Sequence, residues 1–76
     1  MFTKEVQIAN PEEAKKFVDI ASKYQGITIN LKNGDYLIDG HSIMGLLSLD
    51  LSQPTELVTD IEPSQAFLND MAPFMV

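Results

Sequence analysis

The order of its segments predicts that the chain folds as an α+β domain, with one sheet and the helices on one face. Segments in which apolar and polar residues alternate, as in half-buried strands, are interspersed with segments in which apolar residues recur every three or four positions, as in helices. The resulting order is β-α-β-β-α-β-α. A chain of 76 residues allows one domain, residues 1–76.

The first strand and the first helix are predicted from the opening segment. One face of the strand carries four residues at alternating positions, Phe2, Lys4, Val6 and Ile8. A helix then begins at Pro11, because Asn10 is a good N-cap and Glu13 completes a capping-box pattern. The apolar stripe of this helix consists of Ala14, Phe17, Val18 and Ala21. Gly26 is the stop signal, and the helix is expected to end near Tyr24.

A β-hairpin is predicted after the first helix. Its first strand has an apolar face made of Ile27, Ile29 and Leu31. The dipeptide Asn33-Gly34 is the strongest short signal for a hairpin turn, because both residues tolerate positive φ. The second strand is expected over Tyr36 to Asp39, and Gly40 closes it.

The second helix and the elements after it are short. Ser42 is an N-cap for an apolar helix over residues 43–49. Gly45 inside this helix costs about 1 kcal/mol relative to Ala, so it indicates close packing or a partner face. A fourth strand is predicted from the alternation of Leu57, Thr59 and Ile61. The last helix opens at Pro63-Ser64, is cut short by Pro73, and has an apolar stripe made of Phe67, Leu68 and Met71.

The composition excludes several classes of site. The chain has no cysteine, which excludes disulfides, thiolate catalysis and cysteine-ligated metals. His41 is the single histidine and the carboxylates are scattered, so we expect no metal and no cofactor. The net charge of −6 argues against a nucleic-acid partner. No apolar run approaches the roughly 18 residues of a membrane span. The absence of cysteine suits a cytoplasmic protein, which is the expected location.

Two motifs in the middle of the chain resemble those of a known family. Residues 42–49 read "SIMGLLSL", which is close to "SIMGVMSL", the serine-site helix of the bacterial phosphocarrier protein HPr. Residues 21–24, "ASKY", also match, and the Asn33-Gly34 turn falls at the right place between the two motifs. The resemblance covers Phe17 to Leu57. It implies an open-faced β-sandwich with a four-stranded antiparallel sheet and three helices, no enzymatic activity, and a role in the sugar phosphotransferase system.

The tip of the first helix departs from the resemblance. In HPr proteins, a histidine in an "HARP"-like motif at this tip takes phosphate from Enzyme I and passes it to sugar-specific IIA domains, and the motif's arginine helps to hold the phosphate. Alignment back from "ASKY" without gaps puts Asn10 at the histidine and Glu12 at the arginine. An amide cannot form a phosphoramidate, and Glu12 would repel a phosphate. We therefore expect no phosphohistidine and no catalytic residue.

Ser42 matches the regulatory serine of the family. In some bacteria a kinase phosphorylates this serine, and the phosphoprotein then binds a catabolite-control transcription regulator. Ser42 is therefore a candidate regulatory phosphorylation site as well as an N-cap, and the two roles are compatible. His41 and Asp50 depart from the family, which usually has Lys or Arg and Gly at these positions.

The second helix also forms the docking face of the family, so the expected partner-docking residues are Met44, Leu47 and Ile43. Met44 and Leu47 match positions that contact partner proteins. We expect both to be partly exposed, because methionine is frequent on adaptable binding surfaces. The inner face of the helix is then filled by Ile43, Leu46, Leu49 and Leu51.

The preferred interpretation is a regulatory, protein-binding HPr relative that has lost the phosphotransfer histidine, comparable to the catabolite-repression HPr paralogues. The expected partners are phosphotransferase-system proteins or a transcription regulator, and neither nucleic acid nor a membrane. Two alternatives stay open, an active phosphotransfer component of the sugar phosphotransferase system and a vestigial structural domain. Asn10 is the residue that discriminates between the regulatory and the phosphotransfer interpretations.

Overall fold

The computed structural model describes residues 1–50 and 52–76. The elements follow one another in the predicted order: β1 (Phe2–Val6), α1 (Pro11–Ala21), β2 (Ile29–Asn33), β3 (Tyr36–Asp39), α2 (Ile43–Leu47), β4 (Thr55–Thr59), α3 (Gln65–Met71) and a short 3₁₀ helix (Ala72–Phe74). Within these two ranges, no helix is long and apolar enough to cross a membrane.

The four strands form one antiparallel sheet in the order β1-β4-β2-β3. In the middle of this sheet, Leu31 of β2 lies opposite both Leu57 of β4 and Ile38 of β3. This face of the sheet packs against the helices, whereas the other face carries exposed side chains such as Lys32 and Glu56. The prediction of an α+β, open-faced sandwich with a four-stranded antiparallel sheet and three helices is therefore confirmed.

The hydrophobic core lies between the sheet and the helices. Its fully buried large side chains come from both layers and include Phe17, Ile29, Leu31, Leu57, Phe67 and Met71. Two edge-to-face aromatic contacts hold the C-terminal part of the chain against α1 and the turn after it. The ring centroids of Phe17 and Phe74 are 5.5 Å apart, and those of Tyr24 and Phe67 are 5.1 Å apart. Such pairs contribute about 0.5–1.5 kcal/mol beyond the area that they bury.

The first helix ends at Ala21 rather than near Tyr24, so that predicted boundary is wrong. The N–H groups of Lys23 and Tyr24 donate to carbonyl oxygens three residues back, those of Ile20 and Ala21. These tighter bonds satisfy carbonyls that the end of the helix would leave unpaired, and they turn the chain. Tyr24 then reaches α3, where its hydroxyl donates to the carboxylate of Asp70 at 2.7 Å.

The hairpin turn lies one residue later than predicted. Asn33 is still in β2, opposite Tyr36, and the two-residue loop is Gly34 and Asp35. Gly34 has φ 62 and is the residue with positive φ in the described ranges. Glycine at the first loop position suits a type II′ turn. Asn33 is displaced from the turn because its side chain is buried and hydrogen-bonded inside the fold.

Two further elements are shorter than predicted. β4 ends at Thr59, whose hydroxyl donates to the carbonyl of Ile61 at 2.7 Å and bends the chain, so Ile61 is exposed instead of paired. α2 ends at Leu47, because the N–H of Leu49 bonds three residues back instead of four. Leu51, which was expected on the inner face of this helix, lies outside the described residues.

Gly45 lets α2 approach β3 closely. A Cβ atom at this position would lie 2.7 Å from Cγ2 of Ile38, which is shorter than real Cβ contacts. Of the two sequence-based explanations for this glycine, close packing is therefore confirmed. The contact fixes the height of α2 above the sheet, and with it the position of the exposed side of the helix.

Candidate protein-binding site

The tip of α1 is a complete N-terminal cap. Oδ1 of Asn10 accepts the N–H of Glu13 at 2.9 Å, and Oε1 of Glu13 accepts the N–H of Ala9 at 3.1 Å. The capping-box prediction is thus confirmed in one direction, while the return bond reaches Ala9 instead of Asn10. Both bonds satisfy backbone donors that the start of a helix leaves free. The side-chain oxygen of Asn10 is therefore committed to holding the helix.

The charge at this tip is negative. Glu12 and Glu13 lie in the first turn of α1, and Glu12 is exposed. Among the described residues, neither carboxylate has a cation within ion-pair distance. Acidic residues here stabilise the positive end of the helix dipole by about 0.3–1 kcal/mol. The same charges would repel an anionic group, such as a phosphate, placed at Asn10.

A shallow apolar depression of about 120 Å³ joins the tip of α1 to α2. Asn10 and Pro11 line one side of the depression, and Leu47 lines the other. The remaining lining residues are Ile8, Ala14, Leu46 and Leu49. The fold therefore brings two sequence-predicted site residues, Asn10 and Leu47, to one place, although they lie far apart in the sequence.

The outer side of α2 is apolar and exposed. Met44 is 75% exposed and Leu47 is 51% exposed, whereas Leu46, on the inner side, is 2% exposed. Ile43 is half-buried and packs against the core. The predicted exposure of Met44 and Leu47 is confirmed, and their predicted role in docking stays a prediction. We call Ile43, Met44 and Leu47 together the α2 surface.

Ser42 is the N-cap of α2, as predicted. Its Oγ accepts the N–H of Gly45 at 3.2 Å, and its own N–H donates to the carbonyl of Asp39 at 3.1 Å. The side chain is half-buried. Ser42 caps the beginning of α2, whereas Leu47 at the end of the helix lines the depression.

The side chain of His41 lies beside Asp39 in the turn before α2. The backbone N–H of His41 donates to Oδ1 of Asp39 at 2.9 Å, and Nδ1 of the imidazole lies 3.5 Å from the same oxygen. Nε2 is buried and has no hydrogen-bond partner among the described residues. The imidazole is thus a part of the β3–α2 turn, with one of its ring nitrogens buried.

Sequence reasoning missed the side chain that secures the loop after α2. The amide of Asn33 donates to the carbonyl of Asp50 at 3.1 Å and accepts the N–H of Asp50 at 3.0 Å. It also donates to Oγ1 of Thr55 at 2.8 Å. The sequence did contain a signal, since Asn33 continues the buried face formed by Ile29 and Leu31. The Asn33-Gly34 pair, however, was interpreted as the hairpin turn.

The carboxylate of Asp50 is held within the same loop. Its Oδ1 accepts the hydroxyl of Ser52 at 2.6 Å and the N–H of Ser52 at 3.0 Å. These two hydrogen bonds lower the pKa of Asp50 below its ordinary value, against a smaller opposing effect of desolvation. No group of three or more His, Asp or Glu side chains in residues 1–50 and 52–76 could hold a metal ion.

The fold is a small open-faced sandwich in which the tip of the first helix lies beside an apolar, exposed second helix. This is the architecture expected from the resemblance to HPr. The family described as "PTS HPr component phosphorylation site" matches residues 2–74, and the chain belongs to this HPr family. No curated protein is similar enough to this chain to count as a match.

Membership in the family indicates a phosphocarrier-type function in the phosphotransferase system. HPr proteins are phosphocarriers rather than catalytic enzymes, and they interact with other proteins of that system. The prediction of an HPr-like protein is therefore confirmed, and that of protein partners is confirmed at this level.

Proposed function

We propose that this protein is a regulatory, protein-binding member of the HPr family, acting in the cytoplasm by docking through the α2 surface. The observation that carries the proposal is the exposure of Met44 and Leu47 beside an apolar depression that reaches the tip of α1. Exposed apolar side chains next to a concave surface are typical of binding sites. The partner is a phosphotransferase-system protein or a transcription regulator.

The proposal includes the loss of phosphohistidine transfer. The alignment without gaps puts Asn10 at the position of the phosphorylated histidine and Glu12 at that of the phosphate-holding arginine. A carboxamide offers no ring nitrogen for a phosphoramidate, and the oxygen of Asn10 already accepts the N–H of Glu13. Two carboxylates in the first turn add repulsion to a phosphate.

Incubation with Enzyme I and phosphoenolpyruvate tests this loss. The unmodified protein should gain no acid-labile phosphate, whereas Asn10→His combined with Glu12→Arg should gain it if the alignment is right. The His41→Asn variant is the matched control, since it removes the single imidazole of the chain. Acid-labile phosphate on the unmodified protein would overturn the claim, and its loss in His41→Asn would assign it to that imidazole.

The docking role is tested by a pair of matched substitutions. Leu47 and Ile61 are equally exposed, at 51%, but only Leu47 lies on the α2 surface. Titration of candidate partners from the phosphotransferase system, followed by amide chemical shifts, should show changes along α2 in the unmodified protein. Leu47→Asp should weaken binding and Ile61→Asp should leave it unchanged. Equal effects of the two variants would contradict docking through α2.

Ser42 is proposed as the site at which docking is regulated. The support is the match of "SIMGLLSL" to the serine-site helix of the family. Treatment with the serine kinase of the family and ATP should add the mass of one phosphate to the unmodified protein and to Ser48→Ala, but not to Ser42→Ala. Ser48 is a suitable control because it is exposed at the other end of the same helix. An unchanged mass under conditions that modify an active HPr would end this part of the proposal.

The second candidate function is an active phosphotransfer component of the sugar phosphotransferase system. The family match favours it, because that family is described by its phosphorylation site. The phosphorylation assay separates the two functions. A vestigial structural domain, the third alternative, would show neither phosphate transfer nor shift changes along α2 with any partner.

A further inference from the structure

The two edges of the sheet differ in their protection. The second half of β1 is covered by residues 74–76, since the N–H of Gln7 donates to the carbonyl of Phe74 at 2.8 Å and the N–H of Val76 donates to that of Glu5 at 3.1 Å. β3, the other edge, pairs only with β2 in the described ranges. Its sequence, Tyr36 to Asp39, also lacks the lysine, proline or bulge that commonly protects an edge strand.

The outward-facing backbone groups of β3 follow from its register. The carbonyl of Ile29 accepts the N–H of Gly40 at 2.8 Å, so Gly40 bonds towards β2. Because bonded and non-bonded residues alternate along an antiparallel ladder, Ile38 and Tyr36 also bond towards β2. Leu37 therefore presents its N–H and C=O groups to the outside of the sheet, and Asp39 presents its N–H there, whereas the carbonyl of Asp39 already accepts the N–H of Ser42 at 3.1 Å.

The side chains of β3 add apolar area and negative charge to this edge. Tyr36 is 74% exposed and Leu37 is 66% exposed. Asp39 lies two residues after Leu37, on the same face of the strand, and Asp35 lies in the hairpin loop just before the strand. Both aspartates are exposed. The edge thus offers an apolar centre between two acidic residues.

These features point to one class of occupant. We infer that β3 binds an extended segment of a partner protein with an apolar residue between two basic residues on one face, which adds to the sheet as a fifth strand. The main chain of the segment would bond to both backbone groups of Leu37 and to the N–H of Asp39, and its apolar side chain would cover Leu37. Its basic side chains would lie beside Asp35 and beside Asp39, whose Oδ1 already accepts the N–H of His41. This surface is separate from the α2 surface, so the inference does not depend on the proposed function.

A second copy of the chain fits this edge poorly. If Leu37 paired with Leu37 of another copy, Asp39 of each strand would lie opposite Asp35 of the other. Like charges placed directly opposite each other destabilise a strand pair. Each chain also carries a net charge of −6, which opposes association of two copies.

A synthetic peptide tests the inference directly. The probe is the acetylated, amidated heptapeptide Thr-Lys-Ile-Val-Ile-Lys-Thr. Its sequence is palindromic, so its central valine can lie opposite Leu37 with one lysine on each side, whichever way the peptide chain runs. With a saturating amount of peptide, amide hydrogen exchange at Leu37 and Asp39 should slow by about tenfold or more, since both N–H groups gain an acceptor. The exchange rate at Ile38, which already bonds to β2, should change little.

Control peptides separate the contributions of backbone and charge. Replacing the central valine by proline removes a backbone donor, and replacing both lysines by glutamate reverses the charge. Both changes should abolish the slowing of exchange at Leu37 and Asp39. Slowing by all three peptides, or by none of them, would overturn the inference.

Two protein variants and a dilution series complete the test. Leu37→Lys should weaken peptide binding by about tenfold, because lysine is a natural edge-protecting residue. Ile61→Lys, which changes an exposed apolar residue away from β3, should leave binding unchanged. Slow exchange at Leu37 and Asp39 that depends on the concentration of the protein alone would mean that a second copy occupies the edge, and the inference would then be wrong.

Discussion

The side chain of Asn33 and the backbone of Asp50 are joined by two hydrogen bonds, one in each direction, at 3.1 and 3.0 Å. A third bond, to Oγ1 of Thr55 at 2.8 Å, uses the remaining amide hydrogen. The amide thus ties the end of β2 both to the loop after α2 and to the start of β4. Asn33 is 2% exposed, so water cannot replace these partners if the side chain is removed.

Replacement of Asn33 by alanine should lower the free energy of unfolding by about 2–4 kcal/mol, since three hydrogen bonds are lost and the Asp50 backbone is left unpaired. Urea denaturation measures this change. Asn30→Ala is the matched control, because Asn30 lies in the same strand on the opposite face and is only half-buried. A loss for Asn33→Ala as small as that for Asn30→Ala would contradict the assigned role.

Replacement by alanine should have opposite effects on stability at two glycines, Gly45 and Gly26. Gly45→Ala should lower the free energy of unfolding by about 1–3 kcal/mol, since the new Cβ overlaps Cγ2 of Ile38 and the strain exceeds the gain in helix propensity. Gly26→Ala should raise it by about 0.4–1 kcal/mol, because its Cβ would meet no atom within 4 Å.

A double-mutant cycle checks the cause of the Gly45 effect. Ile38→Ala removes the atom that the new Cβ would meet, so the loss from Gly45→Ala should be smaller in the Ile38→Ala background. Additive losses in thermal or urea unfolding would show that the overlap is not responsible.

The Tyr24–Asp70 hydrogen bond should make stability depend on alkaline pH. The bond that Tyr24 donates to Asp70 raises the pKa of Tyr24, and desolvation and the charge of Asp70 act in the same direction. In the unfolded chain, tyrosine has a pKa of about 10. The stabilisation is therefore complete below that pH and is lost as the pH rises through the higher pKa of Tyr24 in the folded protein. Between about pH 9 and pH 11, the free energy of unfolding should fall more steeply with pH for the unmodified protein than for Tyr24→Phe.

Tyr36→Phe is the control for this prediction, since Tyr36 is exposed on the edge of the sheet. Its pH dependence should follow that of the unmodified protein. Identical alkaline profiles for Tyr24→Phe and the unmodified protein would mean that the hydrogen bond to Asp70 contributes nothing.

Acid should weaken the loop after α2. The hydrogen bonds from Ser52 lower the pKa of Asp50, so the folded carboxylate ionises more readily than the unfolded one. The stabilisation is therefore present above the unfolded pKa of about 3.9 and is lost as the pH falls through the lower folded value. Asp50→Asn should reduce the acid dependence of unfolding monitored by circular dichroism, whereas Asp35→Asn, at an exposed loop position, should not.

Helix starts were predictable because their signals are local. Asn10, Ser42 and Ser64 each accept a backbone N–H three residues later, and the sequence patterns indicate the caps at Asn10 and Ser42. The exposure of Met44 was also predictable, because the inner face of α2 could be filled by other apolar residues. These predictions need only the period of the helix and the chemistry of one cap.

The turn position and the shape of the site were not predictable in the same way. Asn33 lies in β2 because of partners 17 and 22 residues away, and the local Asn-Gly motif says nothing about them. Ile61 left the predicted strand because the hydroxyl of Thr59 bonds to its carbonyl. The depression between Asn10 and Leu47 exists only after α1 and α2 have packed together.

The strand order β1-β4-β2-β3 has a consequence for the time course of folding. The pairing of Phe2 with Thr59 spans most of the chain, whereas β2 and β3 pair across a two-residue loop. Closing a short loop costs less entropy and is faster, so the hairpin is expected to form before β1 finds its place. During synthesis on the ribosome, the first strand made must therefore wait for the last strand to emerge before the sheet can be completed.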